Sequence, residues 1–206
     1  MKSNRMILVV AAAAVVMLPV MEANAQRWVH RSGAHANPQG GVTAARGTAV
    51  SGPNGGKAIH GRAVKTDGAG DVTGARGTAF EGPNGTKGAR AASNTAGNGS
   101  FTHKSGSVME GPNGAKAGRA GTTTVNSDGS ATHQSGFAAS GANGSIKSTG
   151  SAERGADGST SGERTTTATG KNGNTYNGTT TWEKGQGVQH TESCKDANGN
   201  SIACKK

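Results

Sequence analysis

The sequence predicts an all-β chain: an elongated repeat of about ten strand–turn units, each about 15 residues long. Three observations carry this expectation. Turn-type glycines recur at Gly40, Gly55, Gly70, Gly85, Gly99, Gly114, Gly129, Gly144, Gly158 and Gly173, and two of the nine intervals are one residue shorter than the rest. The segments between them alternate small residues in period two and carry no helical period. Large apolar residues are too scarce for a packed globule: the chain after residue 25 holds eighteen, counting Val, Ile, Met, Phe, Trp and Tyr, and no Leu.

In chain order, residues 1–25 read as a secretory signal peptide. Lys2 and Arg5 form a basic start, Met6 to Val20 an apolar run too short for a membrane span, and Ala23-Asn24-Ala25 a small-residue cleavage site. Cleavage between Ala25 and Gln26 is expected to leave no transmembrane segment and a secreted or periplasmic protein. Residues 26–36 are expected to be a flexible N-terminal segment. Residues 37–187 form the Gly-rich repeat, and residues 188–206 a C-terminal segment that departs from it.

The repeat unit has a local physical logic. Pro53-Asn54-Gly55, Pro83-Asn84-Gly85 and Pro112-Asn113-Gly114 recur, with Ala142-Asn143-Gly144 as a variant. Proline presets φ at about −65°, which suits the second residue of a type I turn. Asparagine tolerates the following conformation, and glycine takes positive φ at no steric cost. The triplet predicts a three-residue hairpin loop ending in a G1 bulge. Between turns, Val42 to Val50 places Val42, Ala44, Arg46, Thr48 and Val50 on one face and Thr43, Ala45, Gly47 and Ala49 on the other.

Units also alternate. Two residues past the glycine, odd units carry Val42, Val72 and Phe101, then Ala131 and Thr160. Even units carry Lys57, Lys87 and Lys116, then Ile146 and Thr175. The full period is therefore two units, about 30 residues. An antiparallel meander or ribbon and a two-sided β-solenoid account for this equally, and the composition also fits a chain with substantial disorder.

Cys194 and Cys204 are the only cysteines. With Asn198-Gly199 as a turn between them they face each other across a hairpin, and an oxidising compartment favours a disulfide. His103 and His133 hold the same place in units one full period apart, a spacing that duplication explains without a metal. Asp67–Asp71 and Asp196–Ile202 are incomplete as calcium loops and read as turns. No nucleophile–base pair or phosphate loop is present, so no enzyme, cofactor or metal site is expected.

The chain carries 22 basic and 12 acidic residues. Lys2, Arg5 and Glu22 belong to the leader, so the remainder carries +9. The basic residues form no run, and six aromatics are too few for base stacking, so no specific nucleic-acid site is expected. The expected role is structural or surface-associated, with self-assembly or anionic envelope or matrix polymers as partners. The alternative is a disordered cationic module that binds lipopolysaccharide, polysaccharide, extracellular DNA or a protein.

Overall fold

The computed structural model describes residues 27–204. The expected signal peptide and the Ala25–Gln26 cleavage site lie outside them. Thirteen strands follow one another: β1 (Arg27–Ala36), β2 (Val42–Ser51), β3 (Lys57–Thr66), β4 (Val72–Glu81), β5 (Lys87–Gly97), β6 (Ser100–Glu110), β7 (Lys116–Val125), β8 (Ala131–Gly141), β9 (Gly144–Arg154), β10 (Thr160–Gly170), β11 (Thr175–Glu183), β12 (Gly187–Lys195) and β13 (Ser201–Ile202). They form a single sheet in chain order, and each strand pairs antiparallel with its sequence neighbours. The fold is the meander. A solenoid is ruled out because its successive coils would pair in parallel, whereas every strand here reverses at the turn before it.

All ten predicted turn glycines have positive φ, from 72° at Gly99 to 122° at Gly144. Around Pro53 the expected loop forms as reasoned. The Gly55 N–H donates to the Gly52 carbonyl (3.2 Å), closing the type I turn, and the Gly52 N–H donates to the Gly56 carbonyl (2.8 Å) outside the bulge. The same pair of bonds recurs at Gly82–Thr86 and Gly111–Ala115. Two turns are one residue shorter. Gly97 pairs directly with Ser100, and Gly141 with Gly144. The two short intervals of the repeat end or begin at these turns, at Gly99 and Gly144. At the first of them, Asn98 (φ 49°) joins Gly99 (φ 72°) in the left-handed region, the signature of a type I′ hairpin turn.

Alternating strand direction explains the two-unit period. Turns after even strands lie along one margin of the sheet, and these include all three Pro-Asn-Gly loops. Asn143-Gly144 follows β8 and lies there too. Turns after odd strands lie along the other margin and use a different device. Asn37 Oδ1 accepts the Gln39 and Gly41 N–H groups (both 3.1 Å), and Asp67 Oδ1 accepts those of Ala69 (2.9 Å) and Asp71 (2.8 Å). Proline stiffens one margin, and side-chain acceptors close much of the other.

Three expectations are corrected. The segment set apart as a flexible lead-in is β1, bonded from Arg27↔Ser51 to Ala36↔Val42, because it alternates as the later strands do. Beyond the ten turns of the repeat and the Asn198-Gly199 turn expected between the cysteines, the described residues hold one more, at Lys184, which is out of step with the repeat. The described chain is also ordered as strands, although none of its apolar side chains is buried. Backbone pairing replaces the missing core.

Glycine at the bulge position is expected to be indispensable. Gly85→Val forces a β-branched residue to positive φ and should destabilise the local hairpin by about 1–2 kcal/mol. Asn84→Ala should cost less. Amide exchange across β4 and β5 reads both.

Candidate functional site

Side chains alternate along a strand, and directly paired residues share a face, so the registers assign every strand residue. The assignment separates two kinds of cation. One face, called here the arginine face, carries Arg46, Arg62, Arg76, Arg90, Arg119, Arg154 and Arg164, all exposed. It holds a single strand carboxylate, Glu192, which lies 3.6 Å from His190. The opposite, lysine face carries every strand lysine and the other five strand glutamates. Only β1 departs from this sorting, since its Arg27 and Arg31 lie on the lysine face.

The arginines are not scattered on their face. Arg46 pairs directly with Arg62, and Arg62 with Arg76, so three guanidinium groups stand across β2, β3 and β4 at strand spacing, about 4.8 Å. Arg90 and Arg119 lie two residues nearer the Pro-Asn-Gly margin, in one row with Ser107 and Phe137. Large apolar residues flank the arginines at both margins. Phe80, Met109 and Ile146 stand near the Pro-Asn-Gly turns, and Val42, Val72, Phe101 and Val125 at the opposite margin. Of the thirteen exposed large apolar residues, only Val108 lies on the lysine face. Five of the six histidines share the arginine face. Four of these bond to threonine across the strands: His30 to Thr48 (3.1 Å), His60 to Thr78 (2.9 Å), His133 to Thr123 (2.8 Å) and His190 to Thr180 (2.8 Å).

Aromatic rings on this face lie over glycines. Gly88 is directly opposite Phe80 and Gly162 opposite Trp182, and a Cβ at either glycine would meet the ring. Glycine in these strands serves to seat an aromatic ring, which recovers some of the packing a glycine forfeits.

The lysine face is built otherwise. Along its Pro-Asn-Gly margin Lys57, Glu81, Lys87, Glu110 and Lys116 are successive partners, a ladder of alternating sign. Lys87 and Glu81 are 3.9 Å apart, and Lys116 and Glu110 3.7 Å. Its midline from β2 to β8 is Gly47, Gly61, Gly77, Ala91, Gly106, Ala120 and Gly136, again in direct register. A shallow concavity of about 850 Å³ runs beside the ladder and takes in Ile59, Ala89 and Val108. Near the other margin Thr73, Thr95, Thr102, Thr124 and Thr132 pair in an unbroken row. The Gly/Ala midline and the threonine row escaped sequence reasoning, because their members sit at different offsets within their units and only the register aligns them.

His103 and His133 do share a face and a row, but Thr123 stands between them. His133 bonds to it, while His103 turns to Asn94 (2.7 Å). Among the described residues no three His, Cys, Asp or Glu side chains converge as a metal site would require. Cys194 and Cys204 form the expected disulfide, with Cα atoms 5.3 Å apart. It closes the last hairpin over β13, where Asp196 accepts the Asn198 and Asn200 N–H groups (2.9 and 2.8 Å). The remaining expected turn residues all lie at the sheet margins, and none reaches toward a common site. No family model, curated protein or solved structure matches this chain.

Three turn aspartates are held below the ordinary carboxylate value of 3.8. The Ser130 hydroxyl does this for Asp128, the Ser159 hydroxyl for Asp157 and the Asn200 side chain for Asp196, each assisted by backbone N–H groups. A depressed folded-state pKa stabilises the turn above the unfolded value, and that contribution is lost as pH falls through the depressed one. In Ser130→Ala the Asp128 carboxyl titration, followed by NMR, should move up toward the ordinary value. An unchanged midpoint would remove the hydroxyl as the cause. Reducing the disulfide should release β13 and the Asp196 turn, costing that hairpin about 2–3 kcal/mol of loop-closure entropy. Exchange protection from β1 to β11 should be unaffected.

Proposed function

We propose that this chain is a non-catalytic structural protein of an extracytoplasmic layer or matrix, and that it works by stacking sheets of itself. One observation carries the reading: a thirteen-stranded sheet buries no apolar side chain of its own. Single sheets with two wet faces are poorly stabilised, and extended sheets gain their stability by stacking. The disulfide fits an oxidising location, extracellular or periplasmic.

The lysine face is the stacking surface. Its Gly/Ala midline admits close approach of a second backbone plane, as small residues do in stacked sheets. Its margin is self-complementary in charge, since a stagger of one strand between two copies sets two of the three lysines of each ladder against the glutamates of the other. Twelve long strands of about ten residues span roughly 60 by 30 Å, so even half a face exceeds what a specific interface needs. The arginine face would repel its own copy.

The chain from Gln26 should sediment as a concentration-dependent assembly, and amide protection in every repeat unit should rise with concentration. Ala120→Glu places a charge on the midline, where it is solvated in the monomer. It should shift association to at least about tenfold higher concentration, with the monomer's circular dichroism unchanged. A wild-type chain that stays monomeric at every soluble concentration would refute the stacking.

A further inference from the structure

We infer that the arginine face is a binding site for an extended acidic polysaccharide lying across the strands, along the line begun by Arg46, Arg62 and Arg76. A repulsion there stands uncompensated. Like charges directly opposite one another destabilise a sheet, yet three arginines occupy consecutive partner positions. Among the described residues no carboxylate lies within ion-pair distance of any of them. The lysine face shows the contrast within the same chain, because there the cations of the ladder alternate with glutamates. An anionic ligand supplies to the arginines what the fold withholds.

The type of cation points the same way. Guanidinium presents a planar fork that grips carboxylate or sulfate through two hydrogen bonds, whereas ammonium acts as a point charge. From β2 onward every strand lysine is on one face and every strand arginine on the other. Over that span the recognition chemistry is confined to a single side.

Shape narrows the ligand further. The arginines form a line across the strands, spaced at about 4.8 Å per strand, between two apolar margins. A line suits an extended chain with regularly placed anions, and the apolar margins suit the carbon faces of sugar rings. A membrane offers a two-dimensional array of head groups and has no need of a line. Nucleic acid calls for aromatic platforms among the cations, and here the rings stand apart from Arg46, Arg62 and Arg76.

The site is separate from the proposed stacking surface, so each fails or stands alone. The test uses the disulfide-bonded chain from Gln26 with labelled polygalacturonate and dextran sulfate, at low protein concentration. Two variants lose equal charge, R46Q/R62Q/R76Q on the arginine face and K57Q/K87Q/K116Q on the other. The arginine variant should lose about tenfold or more in affinity, and its salt dependence should flatten by roughly two to three counterions. Its melting temperature should hold or rise, since the repulsion is gone. The lysine variant should stay within about twofold of the wild type for the same polymers. Equal losses in both variants would reduce the effect to net charge and overturn the proposal. So would no binding to either polymer, or tighter binding to anionic phosphatidylglycerol vesicles or single-stranded DNA.

Discussion

Everything in this molecule depends on an uninterrupted backbone ladder. Among the described residues each strand from β2 to β12 is bonded on both sides, and none of the apolar side chains is buried. In an ordinary domain hydrophobic burial offsets the entropy of ordering the chain, and hydrogen bonds mainly select the arrangement. Here the ladder must itself supply order, so each of its interruptions is standardised. Positive-φ glycine serves at both margins, joined by proline along one and by Asn or Asp side-chain acceptors along much of the other. One of the two shortest reversals, Asn98-Gly99, uses the residue pair whose backbone preference matches the twist of the strands.

Much of this was legible in the sequence, because a tight turn is a local event. Pro53, Asn54 and Gly55 specify their loop without reference to anything distant, and the recurrence of glycine marks where each strand must begin and end. The choice between meander and solenoid was not legible, since both use the same strands and the same turns and differ only in which strands meet. The Lys184 hairpin was hidden for a different reason: its glycines fall out of step with the repeat. The N-terminal strand was missed because no turn glycine precedes it.

The candidate site was less legible than the fold. Arg46, Arg62 and Arg76 stand six, seven and six residues past their turn glycines, and nothing in a linear reading says that such offsets converge. Convergence comes from reversal. Residues equidistant from a turn meet across it, and a loop of two rather than three residues changes which positions those are. The disulfide, by contrast, was foreseeable from Cys194 and Cys204 flanking a single turn, where reversal brings together residues that are already close in sequence.

Contacts run only between consecutive strands, so the sheet is quasi-one-dimensional. That has a mechanical meaning. A pull applied at Arg27 and Cys204 acts along the strand order, across the strands rather than along them. It loads one strand pair at a time, and the bonds of that pair open in succession like a zip instead of resisting together in shear. Each released unit, about 15 residues, lengthens the chain by about 50 Å while its neighbours hold. On relaxation the same local turns can re-form it. The tail beyond Cys194 is exempt, because its covalent loop cannot lengthen. Extension therefore proceeds one hairpin at a time, because no strand is held by more than its two neighbours.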